Sequence, residues 1–183
     1  MFEKYLIEHC SPTLASLKTA SLFTCAVPDE AEWREQMDEW NRQLRGRGLE
    51  LIVLKKRPDT ALVYIYRKVR LQQDLHKPGV KRFLAAYGYT SIDPDVALER
   101  LKQRLAESET FPHEIGLFLG YPLGDVVGFI ENAGQNCKCT GCWKVYGNEC
   151  EAMRMFAKFK KCREVYSRLW QQGRSVLQLT VAA

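Results

Sequence analysis

The chain of 183 residues predicts an α/β (α+β mixed) fold, a single mixed sheet covered by helices, and three observations carry that prediction. Short β-rich runs are interspersed with segments of helical periodicity along the whole chain. Two of those runs, 49–55 and 61–68, flank Arg57-Pro58-Asp59, a hairpin signal. A long amphipathic helix near the C-terminus is followed, after Gly173, by an apolar run at 175–181 that reads as a final strand. The spacing is too irregular for a regular Rossmann winding, and the length suits one core, so a single domain over 1–183 is expected.

Taken in order, 2–9 reads as a short helix. Ser11-Pro12 reads as an N-cap with proline at the first helical position, opening a second helix to about Leu17. Residues 21–26 form a strand. Pro28-Asp29 starts a helix with Trp33, Met37, Trp40 and Leu44 at helical spacing, and Gly46 and Gly48 stop it. After the hairpin come helical pieces within 69–87 and a helix over 94–108, with Leu98, Leu101 and Leu105 on one side. Residues 115–119 read as a strand, 126–132 as a helix and 143–146 as a strand.

Charge is unevenly placed. The net charge is +5, and residues 151–183 carry seven basic against two acidic side chains, an excess equal to the whole. Ala152, Met155, Phe159, Cys162, Tyr166 and Leu169 share one helix face, while Arg154, Lys158, Lys161 and Arg168 form another. A solvated stripe is the plain reading of that second face. An acidic partner or nucleic acid is the alternative, and the lack of interleaved exposed aromatics argues against nucleic acid. No run reaches the ~18–20 apolar residues that span a bilayer, and the N-terminus has no secretory pattern. A cytosolic protein is therefore expected, with no membrane partner. In a reducing compartment its seven cysteines are thiols, ligands or catalytic groups rather than a disulfide framework.

Three segments are candidates for chemistry. In the stretch from His113 to Asp125, Gly120, Pro122 and Gly124 lead toward a helix whose first N–H groups can hold an anion. The pattern is neither a dinucleotide nor a Walker motif. Asp125 counts against phosphate there, and its glycines equally serve tight packing. Cys10, read as lying just before a helix start, is a candidate nucleophile with His113 as base, or else a buried core thiol. In CKCTGCW, Cys139-x-x-Cys142 offers two metal donors around Gly141 and Cys137 a third. Cys162, on the inward face of the last helix, is the preferred fourth for zinc or an iron–sulfur cluster; an inert core thiol is its other reading. A redox dithiol at Cys139 and Cys142 is a further alternative.

Three segments, CSPTLASLKTASLF, HEIGLFLGYPLGDVVGFIENAG and CTGCWKVYG with FAKFKKC after it, resemble an uncharacterised family of small proteins from anaerobic Gram-positive bacteria, described only as a domain of unknown function. The resemblance covers nearly the whole chain. It implies a single-domain bacterial cytosolic protein and supplies no catalytic residue, so the residues themselves carry the functional expectation. That expectation is a small-molecule ligand or cofactor held by His113, Glu114, Gly120, Tyr121, Gly124 and Asp125, with Lys18 facing an anionic group. The runner-up is an enzyme using Cys10, and a third class is a metal-binding or nucleic-acid-binding accessory protein.

Overall fold

The structure, a computed structural model, describes residues 2–108 and 110–182. Within them the fold is mixed α/β, as expected. The chain divides into two compact units, Met1–Arg70 with Cys162–Ala183 and Leu71–Lys161.

The first unit opens with α1, Phe2–Leu14, one continuous helix in place of the two expected. Ser11 does not cap a new helix, because its hydroxyl donates back to the Ile7 carbonyl one turn earlier. Pro12 withholds an N–H from the Glu8 carbonyl, but Glu8 lies on the exposed side, within reach of water. Leu6, Ile7, Cys10 and Leu14 are fully buried. At about 1.5–3 kcal/mol for each large aliphatic side chain, that burial outweighs the roughly 3 kcal/mol of an interior proline.

Next come β1, Ala20–Ala26, α2, Glu30–Arg45, β2, Leu49–Lys56, and β3, Thr60–Arg67. Asp29 caps α2 by accepting from the Glu32 N–H at 2.8 Å. The expected hairpin joins β2 to β3, and the sheet order is β1-β3-β2 with both pairings antiparallel. The sheet is thus antiparallel rather than mixed. Strands β1 and β2 run the same way, but the hairpin places β3 between them. Alternation puts Phe23 and Cys25, Leu49 and Leu51, and Val63 and Ile65 in one core with α1 and with Trp33, Met37 and Leu44 of α2.

Helix α3, Lys68–Leu75, leads into the second unit, which continues with α4, Val80–Ala85, and α5, Pro94–Glu107. Asp93 caps α5 and Pro94 begins it, and Leu98, Leu101 and Leu105 are buried as their spacing predicts. The strand expected at 115–119 is instead a one-turn helix, α6, Ile115–Phe118. Every residue of that apolar run is buried, so it carries no periodicity to separate strand from helix. Helix α7, Leu123–Glu131, follows, then a two-stranded antiparallel ribbon of β4, Cys139–Thr140, and β5, Lys144–Val145.

Helix α8, Glu149–Gln171, is the long amphipathic helix. Its residues from Cys162 onward belong to the first unit, where Tyr166, Leu169 and Trp170 pack on the core. The expected final strand is absent. Its place is taken by α9, Val176–Leu179, because Ser175 and Gln178 form a reciprocal capping box that closes a helical turn. Among the described residues no helix is long and apolar enough to cross a membrane.

Candidate functional site

The glycine loop and the cysteine ribbon, separate candidates in the sequence, meet in the second unit. Gly120 ends α6 at φ 81°, with its N–H donating to Leu117 and the Tyr121 N–H donating to Gly116, the glycine-terminated helix end known as a Schellman motif. The Gly120 N–H is therefore committed to the helix end. Gly124 has open space where a side chain would stand, so packing does not require it.

Asp125 is buried in α7 and departs from its expected part. It leaves the N-terminal N–H groups of its own helix and reaches the ribbon. One carboxylate oxygen accepts from Trp143 Nε1 at 2.7 Å, and the other from the Tyr146 and Gly147 N–H groups at 2.9 and 2.7 Å. Trp143, so held, stacks on Tyr121 at 4.5 Å between ring centroids and meets the edge of Phe156 at 4.6 Å. The Tyr121 hydroxyl donates to the Cys142 carbonyl at 3.4 Å, and burial first, then Cys142, pushes its pKa up to about 12. Gly141 permits the ribbon turn to close on this cluster, since a Cβ there would lie 2.1 Å from the Phe156 ring.

These contacts border an open cavity of about 410 Å³. Phe111, His113, Tyr121, Phe129 and Trp143 supply rings, while Ile115, Leu119 and Val126 supply aliphatic wall. The ribbon adds Thr140, Gly141, Cys142 and Lys144. His113 lies 4.9 Å from Phe129, and Lys144 donates to the Gly134 carbonyl at 2.6 Å with its ammonium 5.9 Å from the Phe129 centroid. Phe129, Trp143 and Lys144 were missed as site residues. Their signal was present in the one-turn spacing of Asp125 and Phe129 along α7 and in an aromatic and a cation directly after Cys142.

Other predicted residues lie elsewhere. Glu114 is fully buried and does not line the cavity; its carboxylate accepts from the Tyr89 hydroxyl at 3.2 Å and pairs with Arg104. Burial and then Glu114 raise the Tyr89 pKa, and the hydrogen bond that Arg104 donates to Glu114 leads in raising the Arg104 pKa. Lys18 belongs to the first unit and does not line the cavity. Cys10 is fully buried within α1, not before a helix start, and burial drives its thiol pKa far up despite Lys18 and Ser21. That environment opposes a thiolate. Iodoacetamide is therefore expected to modify Cys10 only once the chain unfolds, and peptide mapping that finds it alkylated within minutes in the native protein at pH 6 would restore the nucleophile.

The cysteines do not assemble a metal set. Among the described residues no three His, Cys, Asp or Glu side chains are gathered to hold an ion. Cys137 bonds with the Thr140 hydroxyl at 3.4 Å, and Cys162 is buried in the first unit with its pKa pushed up to about 11 by burial. Burial, followed by Glu149, Cys137 and Asp125, raises the Cys139 thiol. Cys137, Cys139 and Cys142 lie in the second unit and are not gathered around one position. All seven cysteines are free thiols.

The family model described as "Protein of unknown function (DUF3793)" matches residues 6–180. Comparisons with curated proteins and with solved structures returned no match.

Proposed function

The chain belongs to this family of unknown function, and we propose, from geometry alone, that its second unit binds a small planar molecule in the cavity between α6, α7 and the β4–β5 ribbon. The observation that carries this reading is the lining. A volume of about 410 Å³ falls within the range of small-molecule sites, and rings with a few polar groups border it. Trp143 is fixed by Asp125 at its indole N–H, by the stacked Tyr121 ring and by Phe156 at near right angles. A ring so held loses little freedom when a ligand packs beside it, which favours binding. Cys142 serves as wall, and no residue is assigned a covalent step.

A neutral planar probe, 2-naphthamide, tests the reading. It is expected to shift the Trp143 indole N–H resonance, assigned by its loss in Trp143→Phe, with a Kd below about 1 mM. Thr140 is exposed and lines the cavity, so Thr140→Trp should occupy the space while altering stability by about 0.5 kcal/mol or less. An unmoved indole resonance in the wild type, or the same shift in Thr140→Trp, counts against a ligand site here.

A further inference from the structure

Resting on the cavity as a ligand site, we infer that its ligand is an aromatic acid, a planar ring system bearing a carboxylate or phosphate. Beside the Tyr121 phenol and the Cys142 thiol, the lining has one acid, Asp125, and two bases, His113 and Lys144. Asp125 is already committed as an acceptor. Both of its oxygens accept, from one indole and two backbone N–H groups, and it is buried. Its acceptor capacity is spent on the fold.

The other two are cations or can become so, and they flank one ring. His113 approaches Phe129 with its ring tilted by 59°, and the Lys144 ammonium stands over the same ring. An ammonium has three donors, and the Gly134 carbonyl takes one of them. A carboxylate beside Phe129 would gain charge-assisted hydrogen bonds, which are about twice as strong as neutral ones. A cationic ligand gains no such site. It would meet Lys144, a like charge standing over Phe129, while Trp143 is already packed against Tyr121 and Phe156.

The isosteric pair 2-naphthoate and 2-naphthamide isolates the charge. Titrations followed at the Trp143 indole resonance are expected to show naphthoate binding at least about tenfold more tightly. Lys144→Met should bring naphthoate to within about twofold of naphthamide in the same variant, a ratio in which any change common to both probes cancels. Equal affinity of the two probes for the wild type overturns the inference and leaves the cavity reading standing. So does a naphthoate preference that survives in the Lys144→Met, His113→Ala double variant. Binding of neither probe removes the cavity reading and this inference together.

Discussion

Replacing Arg67 with Met is expected to cost about 3–5 kcal/mol of stability against urea, by leaving buried carbonyls without their donor. Arg67 ends β3 and is 3% exposed. Its Nε donates to the Thr13 carbonyl at 2.8 Å, and Nη2 donates to those of Leu14 and Val181 at 2.8 and 2.7 Å. Thr13 and Leu14 are the last residues of α1, where unpaired carbonyls gather the negative end of the helix dipole. One guanidinium thus terminates the helix and ties it to the strand and to the tail. Burial lowers its pKa and Arg70 adds to that, while Tyr166 opposes them. Each lost bond to a charged donor contributes ~1.5–3 kcal/mol. The total falls short of three full losses because Leu14 still accepts from the Val181 N–H and Thr13 from that of Ser16. Arg67→Lys, with a single point of charge in place of a fork, should recover only part. A loss under about 1 kcal/mol for Arg67→Met would mean that water satisfies these carbonyls.

Where a face is half-buried, the pattern of the chain identified the element. The helices at 30–45, 94–107 and 149–171 and the β2–β3 hairpin follow from periodicity, caps and turn residues. Where burial is complete, the pattern is silent. Residues 115–118 are apolar on every side and read equally well as strand. At the C-terminus the β-rich run was weighed without the Ser175–Gln178 box, which outweighs side-chain preference over a single turn. The candidate site divides in the same way. Both the glycine loop and CTGCW were visible, because glycine and cysteine are chemically conspicuous. Their meeting was not, since it depends on Asp125 reaching residues eighteen to twenty-two positions farther along. That choice of partner turned an expected helix-capping acid into a strut and opened the cavity beside it. Lys18 and Glu114 were drawn in by charge and sequence proximity, neither of which says where a side chain points.

The strut also sets the second large effect. Asp125→Ala is expected to destabilise the protein by about 3–5 kcal/mol, since it strands the buried Trp143 indole N–H and removes the acceptor of the half-buried Tyr146 and exposed Gly147 N–H groups. Asp125→Asn separates geometry from charge. Its single amide oxygen can still accept from Tyr146 and Gly147, but its NH₂ would face the indole N–H, donor against donor, so about 2 kcal/mol should remain lost. Removing the indole donor tests that account. In Trp143→Phe the clash is gone, and Asp125→Asn should then cost about 1 kcal/mol less than it does in the wild type, a coupling measured by a double-mutant cycle in urea. The cavity should respond with the fold. With the ribbon released, Trp143 no longer stands fixed against Tyr121, so Asp125→Ala should weaken 2-naphthamide binding at least about tenfold even where the chain is still folded. If Asp125→Ala melts within about 0.5 kcal/mol of the wild type and binds the probe equally well, the ribbon is held by its rings alone and the carboxylate is not the strut.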